Sequence, residues 1–269
     1  MLNKKITFIG GGNMAEGIIS GIVSNEIFDP KNITVFDILS ERRKYLKDTY
    51  GIKDAEDTLS AVKGADIVLI AVLPQNIEKA VQDIKNDLPE STIIISICAG
   101  SKIEKLENIF GSQHKFIRVI PNTMIEVKHG YSAVSINEKV QDSDKELIEI
   151  LLSGLGKTMF IDESLINGFT AYSCAGPAYI MYFIAALVDS GVQSGLSRKD
   201  SVAIALENLI ASALTLQKTG KHPYEITDRM TSPAGIGING LHVLSESGFH
   251  GIVMSSVKKA LERTNELEK

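Results

Sequence analysis

The chain has few of the features that mark secreted or metal-binding proteins. Its 269 residues include only two cysteines, Cys98 and Cys174, and each lies in an apolar run. Two cysteines provide neither a disulfide framework nor a zinc-ligand spacing, so we expect buried thiols in a reducing compartment. The five histidines also lack metal-ligand spacing. We therefore predict no metal site.

Long basic and long apolar runs are missing as well. The chain has 28 basic and 33 acidic residues, a net charge of −5, and no basic block, which argues against a nucleic-acid or membrane-surface partner. Its longest apolar run, 178–188, is shorter than the roughly 20 residues of a membrane span, so we expect a buried helix there. Residues 1–12 have too few apolar residues for a signal-peptide core. We expect a cytoplasmic protein.

What is present is an alternation of short β-branched runs with amphipathic stretches. Predicted strands lie at 5–9, 33–37, 66–72, 92–97, 116–120, 132–136 and 157–161. Predicted helices lie between them at 13–25, 40–50, 76–87, 102–110 and 142–153. Several strands are apolar without alternation, which is typical of a parallel sheet covered by helices on both faces. We predict a doubly wound, Rossmann-like α/β domain over residues 1–162.

Strand patterns stop after residue 162, and we predict an all-helical second domain over residues 163–269. Its helices are predicted at 164–173, 177–194, 198–218, 223–230 and 250–267. The helix at 177–194 has apolar residues around nearly its whole circumference, more than one small helical layer can cover. A subunit interface explains this pattern, and burial within the monomer is the alternative.

A glycine-rich loop follows the first predicted strand. The sequence 10-GGGNMA-15 reads as G-x-G-x-x-A and opens a helix inside a β-α-β pattern. Gly10 allows the tight turn, Gly12 lets the main chain approach a pyrophosphate, and Ala15 allows close helix–strand packing. Backbone N–H groups at such a helix start point towards bound phosphate. We predict a dinucleotide-binding site.

Asp37 ends the second predicted strand, where an acid hydrogen-bonds the adenosine ribose. The 2′-phosphate of NADP would meet like charge there, which favours NADH. Arg42 and Arg43 lie close enough in sequence to turn towards a phosphate, so NADPH remains the alternative.

Other cofactor contacts are predicted at the carboxyl ends of the strands, where ligands bind in open α/β sheets. The loops 71-AVLPQ-75, 98-CAG-100 and 121-PNT-123 all fall at this edge. The predicted cofactor-binding residues are Gly10, Gly12, Asn13, Met14, Asp37, Thr58, Ala71, Val72, Leu73, Pro74, Cys98, Ala99 and Asn122; Thr123 supplies a further hydroxyl.

The chain resembles the pyrroline-5-carboxylate reductases of proline biosynthesis. Six blocks in the family's order carry the likeness: 8-FIGGGNMAEGI-18, 70-IAVLPQ-75, 118-RVIPNT-123, 171–198, 231-TSPAGIGINGLHVLSESGF-249 and 254–267. The resemblance implies a helical domain that interleaves with its twin in a homodimer, and a further assembly such as a decamer of dimers. It also implies an active site between the nicotinamide of one subunit and the helical domain shared by two.

The resemblance further implies a role for the second glycine-rich segment, which lies between two helical patterns. In the family this turn holds the substrate carboxylate with backbone N–H groups. Carried over, the substrate-binding residues are Ala234, Gly235, Ile236 and Gly237, at the start of the helix containing Leu241 and Leu244. A helix start with no Cβ in the way is a suitable anion site.

Four positions depart from the family's pattern. Gly237 replaces a threonine to which the proton-donor role has been assigned, and Leu73 replaces a lysine. Ala175 replaces a serine, and His129 replaces a glutamate. These changes remove polar groups around the cofactor and substrate, so we predict no side chain as the catalytic acid and keep His129 as a candidate near the cleft.

The activity that the resemblance implies is NAD(P)H-dependent reduction of 1-pyrroline-5-carboxylate to L-proline. The less polar pocket leaves two alternatives: a reductase of another cyclic imine acid, 1-piperideine or 1-pyrroline-2-carboxylate, or a non-catalytic paralogue that binds the nicotinamide cofactor. A β-hydroxyacid dehydrogenase is disfavoured because residues 174–197 contain no lysine to handle a hydroxyl proton.

Overall fold

The first part of the chain forms a single mixed sheet. A computed structural model describes residues 1–122, 124 and 129–267. Eight strands are formed by these residues: β1 (Ile6–Ile9), β2 (Ile33–Phe36), β3 (Lys53–Asp54), β4 (Ile67–Ile70), β5 (Ile93–Ser96), β6 (Lys115–Pro121), β7 (Gly130–Ile136) and β8 (Gly156–Phe160). All seven predicted strands are confirmed, and the two-residue β3 is additional.

The strand order is β3-β2-β1-β4-β5-β6-β7-β8. Neighbours are parallel except β6 and β7, which are antiparallel. The connection between these two strands, residues 122–129, is too short for the crossover that a parallel pair requires, whereas β7 and β8 are joined through a helix and are parallel. The order reverses between β1 and β4, which places the topological switch point at their carboxyl ends.

Helices cover both faces of this sheet. They are α1 (Asn13–Ser24), α2 (Ser40–Tyr50), α3 (Thr58–Val62), α4 (Ile77–Val81), α5 (Ile103–Phe110), α6 (Asp142–Ser153) and α7 (Ile166–Phe169), the last followed by a π-helical turn at Thr170–Cys174. Alternate strand residues point to opposite faces: Phe8 packs in one core cluster with α1, α2 and α6, and Ile9 packs in the other with α3, α4 and α5. This double burial explains the continuous isoleucine and valine runs.

The helix predicted at 76–87 was too long, and α3 was missed. After Val81 the regular i→i−4 series ends: Ile84 N bonds to Val81 O (3.1 Å) and Asp87 N to Ile84 O (3.0 Å), both i→i−3, beside one i→i−4 bond from Lys85 N to Val81 O (3.0 Å). The chain is therefore in turns well before Pro89. The start of α3 is fixed by Asp57, whose carboxylate accepts the N–H of Ser60 at 2.7 Å.

The second part of the chain is helical, as predicted. It contains α8 (Gly176–Gln193), α9 (Arg198–Thr219), α10 (Pro223–Met230), α11 (Ile236–Glu246) and α12 (Phe249–Leu267). By its contacts the chain divides into two compact units, one comprising Met1–Cys174 with the residues from Leu261 onward, and the other Ala175–Ala260. The domain boundary predicted between residues 162 and 163 stays a prediction.

In the single chain the apolar helix predicted at 178–188 is largely exposed, which disfavours the alternative of burial within the monomer. Val188 is the buried residue of α8, whereas Ile180, Met181 and Tyr182 are 51%, 59% and 84% exposed. By length and composition alone, the helical run Glu163–Gln193 is also apolar enough to cross a membrane. Exposed apolar side chains recur on α9 and α11, including Ile210, Leu214 and Val243, so the apolar surface extends beyond one helix.

A buried histidine makes the stability of the α/β unit depend on pH. His114 is 2% exposed, and its ring lies edge-on to Phe110 at 6.4 Å and to Phe116 at 6.3 Å. Burial lowers the pKa of His114 below its ordinary value of 6.5, against the opposing effects of Glu90 and the backbone of Pro89. The folded chain therefore keeps this imidazole neutral.

We expect the free energy of unfolding to fall as the pH drops below about 6.5. There the unfolded histidine gains a proton that the folded one resists, so the unfolded state binds more protons, at a cost of up to about 1.4 kcal/mol per pH unit. Urea unfolding at fixed protein concentration between pH 7.5 and 5 measures this slope. His114→Gln should flatten it, and His250→Gln, at an exposed position, should not. Equal slopes in all three proteins would contradict the assignment.

Candidate functional site

The first glycine of the loop after β1 permits a close backbone contact at the switch point. Gly10 has φ +102°, and a Cβ added there would lie 2.5 Å from the carbonyl oxygen of Ala71, the residue after β4. Only glycine adopts this conformation without strain and without collision. The loop is thereby held against the end of β4, and α1 is directed into the crevice.

The third glycine leaves the start of α1 open. Gly12 is the exposed N-cap residue of α1, and no side chain caps this helix. A Cβ at Gly12 would meet no protein heavy atom within 4 Å. Exposed N–H groups at the positive end of a helix attract a phosphate. The residues present therefore fit a dinucleotide pyrophosphate, with the exposed Asn13 and half-buried Met14 beside it.

The Asp37 carboxylate connects the end of β2 to the glycine loop. One oxygen accepts the N–H of Gly11 at 2.8 Å, and the other accepts the N–H of Leu39 at 2.9 Å. A carboxylate offers about four acceptor positions, so Asp37 retains capacity for ribose hydroxyls while its orientation is set by the loop.

Next to this carboxylate lies a cluster formed by Glu16, Arg42, Tyr45 and Tyr50. The Arg42 guanidinium is ion-paired with Glu16, and its Nε donates to the Gly11 carbonyl at 2.5 Å. Tyr45 and Tyr50 each donate to the second Glu16 oxygen at 3.0 Å. Burial by itself raises the pKa of Glu16, but hydrogen bonds from Arg42, Tyr50 and Tyr45 outweigh it and hold the pKa below its usual value. Glu16 is therefore an anion at neutral pH.

The loops after β4 and β5 are tied together by a thiol. Cys98 is 3% exposed, and its Sγ lies 3.0 Å from the carbonyl oxygen of Val72. Burial raises the pKa of this thiol, so it serves as a neutral donor rather than a nucleophile. Leu73 and Ala99 are exposed at the same edge of the sheet.

Asn122 holds the end of β6. Its side-chain oxygen accepts the N–H groups of Met124 and Tyr131, both at 3.2 Å, and its amide donates to Ser173 Oγ at 3.3 Å. The Cys174 thiol contacts the Pro121 carbonyl at 3.8 Å, and burial raises its pKa to about 11. The strand end is thus fixed to the π-helical turn. Thr123 lies outside the described residues.

An ion pair joins buried Arg118 on β6 to the half-buried Glu163. Arg118, 1% exposed on β6, contacts Glu163 at 3.0 Å, and the same carboxylate oxygen accepts the N–H of Ile103 at 2.9 Å. Glu163 therefore caps the start of α5 from a distant part of the chain. No local pattern announces this role, because Ile103 and Glu163 are 60 residues apart.

A second open helix start lies in the helical unit. Ala234 has φ +57°, Gly235 is the N-cap of α11, and no side chain caps that helix. Ile236 is 96% exposed. The N–H of Gly235 is bonded to the Ser232 carbonyl at 3.0 Å, so the N–H groups available to an anion are those of the following residues, from Ile236 onward.

The structure brings most of the predicted cofactor residues to one edge of the sheet. Gly10, Gly12 and Asp37 are joined through the loop contacts, and Ala71 and Val72 through the contacts to Gly10 and Cys98. Thr58 begins α3 after β3, and Pro74 begins a short 3-10 turn after β4. The predicted substrate residues lie in the helical unit. Their binding roles stay predictions, and in the described residues no group of His, Cys, Asp and Glu has the arrangement of a metal site.

Sequence reasoning missed Glu16, Tyr45, Tyr50, Arg118, Glu163 and Ser173. Their partners are far away in the chain, so periodicity and motif spacing could not reveal them. The one local signal for Glu16 was its position as an acid in the first turn of the helix that follows the glycine-rich loop.

The fold, the glycine-rich loop and the acid after β2 define a dinucleotide-binding protein of the Rossmann type. Residues 5–100 match the family model described as NADP oxidoreductase, coenzyme F420-dependent, and residues 163–267 match the model described as pyrroline-5-carboxylate reductase dimerisation.

Relatives extend this match along the whole chain. A pyrroline-5-carboxylate reductase from Arabidopsis thaliana is 35% identical over 98% of this chain and 95% of its own length. One from Methanosarcina acetivorans is 32% identical over all of both chains. The chain belongs to the pyrroline-5-carboxylate reductase family, which confirms the resemblance.

Solved structures agree with this assignment. The pyrroline-5-carboxylate reductase of Coxiella burnetii superposes with a TM-score of 0.91 at 27% identity, covering both chains completely. The pyrroline carboxylate reductase of Plasmodium falciparum, determined with NADP bound, gives a TM-score of 0.88 at 29% identity, also over both complete chains.

The open start of α1 generates a direct test of the cofactor site. We expect Gly12→Val to fold, because its Cβ meets no protein atom, and to lose at least about tenfold in NADH affinity, because the new side chain blocks the pyrophosphate. Calorimetric titration measures the affinity, and thermal unfolding checks the fold. Gly10→Ala is the comparison: it should lower the melting temperature through its clash with Ala71. Unchanged NADH affinity in Gly12→Val would rule out this phosphate site.

Proposed function

We propose that the protein reduces 1-pyrroline-5-carboxylate to L-proline with a reduced nicotinamide cofactor. The observation that carries this function is the full-length match to pyrroline-5-carboxylate reductases, which spans both the dinucleotide-binding part and the helical part. The reaction is transfer of a hydride to the carbon of the ring C=N bond.

The roles of the protein residues follow from the two open helix starts. The loop of Gly10 and Gly12 binds the pyrophosphate at the start of α1, and Asp37 accepts hydroxyls of the adenosine ribose. The turn Ala234–Gly237 at the start of α11 binds the substrate carboxylate, through the backbone N–H groups from Ile236 onward. The reduced nicotinamide supplies the hydride when bound, and the protein orients the substrate.

No side-chain acid is required for the hydride step. Protonated 1-pyrroline-5-carboxylate is an iminium ion, which is already electrophilic at carbon, so hydride addition gives the neutral secondary amine directly. The family's usual residue at position 237 is threonine. Hydride transfer is therefore still possible with Gly237 in its place. The rate then depends on the fraction of imine that arrives protonated.

The cofactor preference that we propose is NADH. Asp37 has both oxygens facing the glycine loop and the following turn, and its charge opposes a 2′-phosphate. The comparison of kcat/KM for NADH and NADPH tests this preference separately from the reaction itself.

We also propose a cytoplasmic homodimer formed through the helical unit. Ile180, Met181 and Tyr182 on α8 and Ile210 on α9 are more than half exposed in the single chain. Apolar exposure on this scale is unusual for a monomer and typical of an obligate interface.

A different cyclic imine acid is the second candidate substrate. Leu73 is 61% exposed at the cofactor edge, and Gly237 presents no side chain. The family's usual pattern has a polar side chain at each of these positions, and its loss favours a larger, more apolar ring such as 1-piperideine-2-carboxylate.

The proposal is tested by following absorbance of NADH and NADPH with a panel of imines. We expect kcat/KM to be highest for 1-pyrroline-5-carboxylate, with proline as the product. Faster turnover of 1-piperideine-2-carboxylate or 1-pyrroline-2-carboxylate would transfer the assignment to that substrate. Tight cofactor binding without consumption on any imine would establish a non-catalytic paralogue.

Gly237→Thr tests whether a hydroxyl at this position assists protonation. A Cβ at residue 237 would have its nearest neighbours at 3.5 Å, the Met230 carbonyl and Thr231, so the side chain fits. We expect kcat to rise about fivefold on the alkaline side, where less of the imine is protonated, since one hydrogen bond contributes about 1 kcal/mol. The pH profile of kcat is the measurement.

Gly237→Val is the matched control because it has the shape of threonine without the hydroxyl. It should not extend the profile to higher pH. An alkaline gain of equal size in both variants would mean that packing, and not proton donation, is responsible.

A further inference from the structure

Two arginines lie where a 2′-phosphate would need a cation. Arg42 and Arg43 are in the first turn of α2, directly after the Asp37 turn. In dinucleotide-binding folds an arginine near this point accommodates the 2′-phosphate of NADP. The direction in which each guanidinium is held therefore bears on cofactor choice.

Arg42 is held against the glycine loop. Gly11 donates its N–H to the Asp37 carboxylate, and its carbonyl accepts a hydrogen bond from Arg42 Nε. The guanidinium is therefore linked through Gly11 to the carboxylate that is predicted to bind the ribose. It is turned towards Glu16, with which it forms the ion pair, and it also covers the Tyr45 ring at 5.1 Å from the centroid. Arg42 thus lies close to the predicted adenosine end, but its guanidinium is already bonded to Glu16 and Gly11.

Glu16 is itself fixed. Its other oxygen receives the hydroxyls of Tyr45 and Tyr50, and the side chains of Glu16 and Arg42 are only 21% and 23% exposed. A charged pair with this degree of burial and three further hydrogen-bonding partners is screened less by solvent than a surface pair. Releasing Arg42 would leave a half-buried carboxylate without its counter-ion.

Arg43 is occupied separately. It donates to the Asp37 carbonyl at 2.5 Å, and its guanidinium lies 5.9 Å from the centre of the Phe36 ring. The partners of Arg43 in these contacts are Asp37 and Phe36, and Glu16 is not among them. A change at Glu16 is therefore expected to act through Arg42.

We propose that Glu16 is a specificity-determining residue that disfavours NADPH by holding Arg42 against the glycine loop and away from a 2′-phosphate. This inference rests on the proposed function, since it assumes that a nicotinamide dinucleotide binds along α1. Asp37 repels the phosphate directly, and Glu16 withholds the cation that would otherwise compensate. Glu16 is not a catalytic residue in this account.

Glu16→Gln is the test because glutamine keeps an acceptor for Tyr45 and Tyr50 while removing the charge that holds Arg42. The affinities of NADH and NADPH are measured by calorimetry on the full chain without imine. We expect the ratio of NADPH to NADH affinity to rise about fivefold, the factor that corresponds to loss of one weakly screened ion pair.

Two further variants separate release of Arg42 from a change in net charge. Glu41→Gln makes the same change at an exposed acid next to Arg42 in α2, and the ratio should stay as in the wild type. Glu16→Gln with Arg42→Gln restores the net charge and removes the arginine, so the gain should vanish. An unchanged ratio in Glu16→Gln, an equal gain in Glu41→Gln, or a gain that persists without Arg42 would each overturn the proposal.

If Glu16→Gln does not unfold cooperatively, Glu16→Ser replaces it, and the same ratio of NADPH to NADH affinity is measured. Because binding is measured without substrate, a wild-type protein that binds both cofactors but reduces no imine would refute the proposed reaction and leave this ratio measurable. A wild type that binds neither cofactor would refute both.

Discussion

The close approach of Gly10 to the Ala71 carbonyl is the contact on which the cofactor edge depends. It occurs where the sheet order reverses between β1 and β4, the point at which helices leave in opposite directions and a crevice opens. A side chain at residue 10 would separate the loop from β4 and change the direction of α1. The Gly11 N–H would then no longer meet Asp37, and the Gly11 carbonyl would no longer meet Arg42. One steric constraint thus positions the phosphate-binding N–H groups and the charges around the adenosine end.

The sheet supporting this contact could largely be predicted from the sequence. Continuous apolar runs such as those of β1 and β4 predict strands that are buried on both faces. The order of strands and helices then restricts the possible topologies. β3 was not predicted because its two residues, Lys53 and Asp54, are exposed and form no apolar pattern. The direction of β7 could not be obtained from its own residues, since its composition suits either pairing. It follows from the length of the connection to β6.

The candidate site was predictable only where a local motif marks it. The glycine loop, Asp37 and the strand-end loops are visible as short patterns, and the structure gathers them at one edge. Glu16 with Arg42, and Arg118 with Glu163, are pairs of residues 26 and 45 positions apart, and nothing in either local sequence specifies the partner. Asn122 shows the converse. It was predicted from its place at a strand end, and the structure adds that its amide already bonds Ser173, Met124 and Tyr131, so any cofactor contact would have to share a side chain that also holds the loop.

The helical unit presents a different physical problem. In water, a helix with apolar residues around its whole circumference can bury them only when other helices surround it. In α8 the single chain covers Val188 and leaves Tyr182 and Met181 mostly exposed, so the chain by itself does not satisfy its own hydrophobic pattern. Apolar side chains are exposed on α9 and α11 as well, and α9 has Arg198, Lys199 and Asp200 in its first turn. Charged residues beside an apolar surface are typical of a protein interface with a polar rim, which is the kind of interface that we propose. The match of residues 163–267 to the family model described as pyrroline-5-carboxylate reductase dimerisation is consistent with the homodimer that we propose.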